Sequence, residues 1–204
     1  MIDLYTWTTP NAHKVSVMLE ETALPYTVHA VDIPQGGHQA PAFLAINPHG
    51  KLPAIVDRDA PGGAPLVLAE SSAILVYLAE KSGRLLAPTG AARAAALHWL
   101  MFQTSNIGPT FHDAYYFMAL APERLPPAID YFNAEIARVM GLLDAELARH
   151  EHLGGEYSIA DVATFPWIAT AMAAGVHAPA NVRRWHDRIA ARPAVARGMA
   201  VPAV

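Results

Sequence analysis

The sequence predicts an α/β domain followed by an all-α domain, and three observations carry that expectation. Residues 1–81 alternate short strand-like and helix-like segments; residues 91–204 read as helix almost throughout; and 82–90, with its glycines and a proline between two helical patterns, reads as a linker.

Ile2–Thr6 alternates apolar and polar side chains, as a short strand does. Thr9-Pro10 then supplies an N-cap followed by proline at the first helical position. Val15, Met18, Leu19 and Thr22 recur at helical spacing, and the pattern ends near Ala23-Leu24-Pro25. Tyr26–Val31 reads as a second strand, so the opening is a βαβ unit whose strands should run parallel. A loop at Ile33–Gly37, a short helix at Pro41–Ile46, strands at Ala54–Asp57 and Leu66–Ala69 around the turn-forming Asp59–Pro65, and a helix at Ser71–Lys81 follow. The order βαβ, α, ββ, α is a thioredoxin-like arrangement.

Beyond the linker the expected helices are Ala91–Leu120, interrupted at Gly108-Pro109, then Pro126–His150, Ser158–Ala174 and Ala180–Ala191 with a short helical tail. Ser158-Ile159-Ala160-Asp161 has the S-x-x-D spacing of a capping box, with Tyr157 placed to staple against Val162.

Composition narrows the function classes. Hydrophobic residues make up 53% of the 204 and charged residues 16%, which suits a globular chain rather than a disordered one. A net charge of −4 with scattered basic residues provides no footprint for nucleic acid and no polybasic membrane patch. The start, Met1-Ile2-Asp3-Leu4, lacks the positive charge of a signal peptide, and no apolar run has membrane-spanning length, so a cytoplasmic location is expected. The chain has no cysteine, which excludes a disulfide framework, a thiolate metal site and a protein-borne thiol nucleophile. No metal is expected either: His150-Glu151-His152, the densest histidine group, lacks H-E-x-x-H spacing and reads as a solvated loop.

The candidate chemistry sits at three places. Leu52-Pro53 precedes a strand; a cis bond there would turn the Leu52 backbone outward to pair with an extended peptide, and an ordinary trans proline opening a strand is the alternative. Glu70-Ser71 lies where a strand meets a helix. Free N–H groups and the Ser71 hydroxyl suit a carboxylate and Glu70 suits an ammonium, while a plain helix start accounts for the same residues. Thr9 and Asn11 flank the first helix start, and the Thr9 hydroxyl can accept from the helix while donating its hydrogen to a sulfur anion. A thiol of pKa about 8.5 needs about 2.7 kcal/mol of preferential stabilisation to fall by two units, and one or two hydrogen bonds of about 1.5–3 kcal/mol each suffice. His13 and Lys14, next along, read as surface residues. His98, Trp99, Phe102, Phe111, His112, Tyr115 and Tyr116 read mainly as core or dimer contacts, some of which could line an acceptor pocket.

Together these residues resemble the cytosolic glutathione transferases over essentially the whole chain. Leu52-Pro53-Ala54 is similar to the family's cis-proline site, Glu70-Ser71 with Ala73-Ile74 and Tyr77-Leu78 to its glutamyl-binding element, and Ser158–Asp161 to its helical-domain capping box. The opening Met1–Tyr5, Thr9-Pro10-Asn11, Gly36-Gly37 and Gly108-Pro109 resemble the bacterial nu class, whose members act as disulfide-bond oxidoreductases. The resemblance implies the glutathione transferase fold, with glutathione as substrate or co-substrate. It also implies that Thr9 and Asn11 face the glutathione sulfur, Leu52 with Pro53 holds the cysteinyl backbone, and Glu70 and Ser71 hold the γ-glutamyl end. His38, Gln39 and Lys51 are the candidates for the glycine carboxylate, and Phe102, Phe111, His112, Tyr115 and Tyr116 for the acceptor pocket. A homodimer is implied as well. One departure is visible: class members can reach the ligand with an arginine from the partner's third long helix, where this chain has Tyr131-Phe132.

The expected function is therefore glutathione-dependent disulfide reduction. Conjugation of glutathione to electrophiles and a non-catalytic regulatory role on the same fold stand as alternatives.

Overall fold

The computed structural model describes all 204 residues, Met1–Val204. They form two compact units: Met1–Pro88 joined by Ala190–Val204, and Thr89–Ile189. The break falls inside the expected linker. The last 15 residues, however, return to the first unit instead of closing the helical one.

In the first unit β1 (Ile2–Thr6), α1 (Pro10–Thr22), β2 (Tyr26–Ala30), α2 (Pro41–Leu44), β3 (Ala54–Asp57), β4 (Leu66–Ala69) and α3 (Ser71–Ser82) follow the expected order. The sheet is four-stranded, ordered β2-β1-β3-β4, with β1 parallel to β2 and antiparallel to β3. Ile2, Leu4 and Ile55 from the sheet and Ile74, Leu75 and Leu78 from α3 are buried to 1% exposure or less. A smaller core of Val31, Phe43 and Ala54, with Tyr5, Leu52 and Ala69 packed on it, lies below the strand ends described in the next section.

α1 is covered almost all round. It packs against α3 and also against α9 (Pro193–Met199), the short C-terminal helix. The Ser16 hydroxyl donates to the Gly198 carbonyl at 2.7 Å, and Arg192 and Arg197 pair with Glu21 and Glu20 at 2.6 Å. No side chain fits at Gly198, because a Cβ there would lie 2.5 Å from the Val17 Cα.

The second unit contains α4 (Gly90–Phe102), α5 (Gly108–Tyr115), α6 (Pro126–Leu147), α7 (Ile159–Ala173) and α8 (Ala180–Ala190), the last reaching its boundary. The expected interruption at Gly108-Pro109 takes the form of a π-helical turn over Gln103–Ile107, with a second at Tyr116–Leu120. Pro109 has no N–H for the Ser105 carbonyl and its ring would crowd that group, so the helix widens by one residue just before the proline. α7 is apolar and buried on most sides, as a central helix should be. Its capping box forms: Ala160 N–H donates to Ser158 Oγ at 3.2 Å and Ser158 N–H to Asp161 Oδ2 at 3.0 Å. No helix of the chain is long and apolar enough to cross a membrane.

Candidate functional site

Strand register gathers the three candidate segments. Tyr5 at the end of β1 pairs with Ala54 at the start of β3, and Ala54 pairs with Ala69 at the end of β4. The residues just outside these positions therefore emerge at one end of the sheet: the turn into α1, Leu52-Pro53, and Glu70-Ser71. The antiparallel pairing of β3 with both neighbours aligns the end of β1, the start of β3 and the end of β4.

Thr9 is the N-cap of α1, with extended φ of −127° and ψ of 151°. Its Oγ1 accepts from the Ala12 N–H at 3.4 Å, so the hydroxyl hydrogen remains available. Asn11 is half-buried in the first turn. The Leu52-Pro53 peptide bond is cis, and Leu52 packs over the small core of Val31, Phe43 and Ala54.

The loop before Leu52 is tied to the 3₁₀ turn at Gly37–Gln39. Gly50 has φ of +64°, and a Cβ there would meet the Gln39 side chain at 2.8 Å and the His38 carbonyl at 3.3 Å. His38 and Gln39 thus lie beside the backbone that carries Lys51, whose carbonyl accepts from the Asn47 side chain at 2.7 Å. The Nδ1 of His38 is buried with no partner in the chain. Gln39 and Lys51 are exposed.

At the start of α3, Glu70 is an exposed N-cap residue with φ of 68° and ψ of 107°, a conformation L-residues rarely adopt. An N-cap residue strained in this way is held by its surroundings and marks a site where the backbone is aimed. Ser71 follows, 9% exposed, in the first turn of α3, whose N–H groups have no partner within the helix.

Sequence reasoning misplaced two neighbours. Lys14 is not on the surface: it is 2% exposed, and its Nζ donates to Ser71 Oγ at 3.3 Å. Burial pushes its ammonium down to about 7, the Glu70 carboxylate opposing that shift. His13 is largely buried too; both ring nitrogens lack a partner, and burial lowers its basicity. The available signal was spacing, since Lys14, Val17, Met18 and Glu21 form a second stripe on α1 that is buried with the first.

Within the helical unit, the aromatic candidates divide. Phe111 is buried at 7% exposure, which leaves it little surface for an acceptor, and Phe102 is half-buried with its ring 5.3 Å from that of Trp99. His112, Tyr115 and Tyr116 are exposed, the tyrosines at 59% and 43%. A cleft of about 290 Å³ lined by Phe117, Met118, Arg124 and Ile129, residues the sequence did not single out, opens on the same unit.

Comparisons with known proteins place relatives along nearly the whole chain. The glutathione S-transferase N-terminal domain family matches residues 8–81, and the glutathione S-transferase C-terminal domain family matches 107–193. The disulfide-bond oxidoreductase YfcG of Escherichia coli (strain K12) is 43% identical over 203 residues, covering 98% of this chain and 94% of that protein. A glutathione transferase family member from Pseudomonas fluorescens, crystallised with two glutathione bound, superimposes with a TM-score of 0.93 at 43% identity, over 98% of this chain and 93% of the other. A glutathione transferase from Pseudomonas putida with one glutathione disulfide bound per subunit gives a TM-score of 0.92 at 40% identity, over 98% and 91%.

Proposed function

The chain belongs to the glutathione S-transferase family, and from that premise we propose that it reduces disulfides with glutathione, supplying no sulfur of its own. The observation that carries this reading is the alignment of Thr9, Leu52 and Glu70-Ser71 at one end of the sheet in a chain without cysteine. The relatives crystallised with two glutathione, or with one glutathione disulfide per subunit, support it, because each holds two glutathione sulfurs.

The chemistry divides by residue. Glu70 takes the ammonium and Ser71 the carboxylate of the γ-glutamyl group, and the Leu52 backbone pairs with the cysteinyl unit. His38, Gln39 and Lys51 receive the glycine carboxylate. The sulfur then lies at the turn into α1, where the Thr9 hydroxyl, Asn11 and the helix N-terminus stabilise its anion. The thiolate attacks one sulfur of the substrate disulfide and expels the other as a thiolate; a second glutathione resolves the mixed disulfide to glutathione disulfide. Holding the attacking sulfur in line is the protein's main contribution.

The test is steady-state reduction of hydroxyethyl disulfide by glutathione, coupled to glutathione reductase, with Thr9→Ala and Asn11→Ala beside the wild type. A wild-type rate that both substitutions lower supports the reading. Glutathione binding without a rate defeats it.

A second reading, conjugation to apolar electrophiles, is favoured by the exposed Tyr115 and Tyr116 and by the cleft at Phe117 and Ile129. Turnover of an aromatic electrophile by a protein inactive on disulfides would select it. A homodimer, common in the family, is part of the proposal and is checked by light scattering.

A further inference from the structure

We infer that Lys14 is a positioning residue for glutathione: buried behind the start of α3, it acts through the Ser71 hydroxyl as the counter-charge for the γ-glutamyl α-carboxylate. The inference deepens the proposed binding mode and rests on it.

The geometry assigns the polarity of the contact. Lys14 Nζ donates to Ser71 Oγ at 3.3 Å. A serine hydroxyl has one hydrogen, and an ammonium has only donors, so while Lys14 is charged that hydrogen must point away from it. Ser71 then donates toward the open face, beside the free N–H groups of α3. Were Lys14 neutral, its amine could accept instead, and Ser71 would turn a lone pair toward an incoming carboxylate. The charge of one buried side chain thus decides whether Ser71 attracts or repels the ligand.

Stability does not explain a lysine here. A long apolar side chain would fill the same space without the cost of burying an ammonium, and replacing buried charges by well-packed apolar groups is often neutral or stabilising. The buried residues around Lys14 on α1 include Val15, Val17, Met18 and Leu19, among which methionine would fit.

α1 packs on β1, α3 and α9. The Glu70 carboxylate at the start of α3 favours the charged form of Lys14; Asp3 of β1 is engaged by His29 and Arg58, and Arg192 and Arg197 beside α9 pair with Glu21 and Glu20. Within α1 itself His13 is adjacent, its ring nitrogens buried. Because burial has brought the Lys14 ammonium down to about 7, its charge is partly lost in the free protein at physiological pH and is restored when a carboxylate binds.

The experiment is calorimetric titration with S-methylglutathione, which keeps both carboxylates and the amine but has no ionisable sulfur. Its analogue with 4-aminobutyrate in place of the γ-glutamyl residue, lacking only the α-carboxylate, is run beside it. Wild type, K14M and K14R are compared from about pH 6.5 to 8.5, with thermal midpoints recorded for each. Wild-type affinity for S-methylglutathione is expected to fall about tenfold across that range; K14R, always charged, should lose this dependence. K14M should bind S-methylglutathione about tenfold or more weakly at the acid end, the value of one hydrogen bond to a charged group, with no loss for the analogue and an unchanged or higher thermal midpoint. Equal wild-type and K14M affinity and pH profile overturns the Lys14 role alone, as does an equal loss on both ligands. A wild type that binds neither ligand overturns the binding mode itself.

Discussion

Asp161 Oδ1 accepts the indole N–H of Trp185 at 2.8 Å, deep in the helical unit, where Asp161 is 0% and Trp185 1% exposed. The same carboxylate accepts from the Leu153 N–H at 3.0 Å and, through its other oxygen, from Ser158 N–H at 3.0 Å. The residue that caps α7 also ties α8 and the preceding loop to it. Asp161→Ala leaves these donors buried and unpaired, and is expected to cost about 3–4 kcal/mol in urea unfolding, against about 1 kcal/mol for Ser158→Ala. Similar losses for both would reduce Asp161 to an ordinary cap.

Gly198 faces the α1 backbone so closely that a methyl group would meet Val17 Cα at 2.5 Å and Val17 N at 2.6 Å. Backbone cannot move aside as a side chain can. Gly198→Ala should therefore release the tail from α1, seen as accelerated amide exchange over Ala190–Val204 and a loss of about 2–3 kcal/mol. Unchanged exchange in the tail would contradict the close packing.

Glu70 separates stability from binding, because its positive φ of 68° suits glycine. Glu70→Gly should keep or raise the thermal midpoint, backbone strain of this kind being worth about 1–3 kcal/mol. Glutathione affinity should meanwhile drop about tenfold or more with loss of the ammonium partner. Calorimetry and thermal melts on the same samples decide; a variant that binds normally removes Glu70 from the site.

Thr9 caps α1 with the same hydroxyl that is proposed to donate to the glutathione sulfur. Thr9→Ser should retain both, whereas Thr9→Val should lose about 1 kcal/mol of stability and at least about tenfold in disulfide exchange. Asn11→Ala should raise the thiol pKa of bound glutathione, read from thiolate absorbance against pH. An unmoved titration curve would take Asn11 out of the mechanism.

Asp57 sets an acid limit for the first unit. Burial opposes its charge, but hydrogen bonds from the Lys81 ammonium at 2.9 Å and the Tyr77 hydroxyl at 2.6 Å outweigh it and hold the carboxyl below its ordinary range. A carboxyl depressed by folding stabilises the folded state above its unfolded pKa, and that contribution is lost as pH falls through the folded value. Asp57→Asn should lower stability at neutral pH and flatten the decline below about pH 4. An acid limb as steep as that of the wild type would assign the decline to other carboxyls.

Local chemistry made much of this protein legible from its residues. Thr9-Pro10, Ser158 with Asp161, the alternation of Ile2–Thr6 and the helical spacing of Val15, Met18 and Leu19 express preferences acting within a few residues, and the corresponding elements form where those preferences place them. The candidate segments at Thr9, Leu52-Pro53 and Glu70-Ser71 were visible for the same reason: each is a turn or cap chemistry at the end of an element. What tertiary structure alone decided is which side chains are covered from afar. Lys14 looked like surface because its cover comes from Ser71, 57 residues away, and α1 became a buried helix because a tail beginning near Arg192 docks on it. Phe111 was likewise drawn into the core of the helical unit. Caps and periodicity are local energies that a sequence displays directly; burial belongs to whichever distant segment packs there, and only the folded chain specifies that segment.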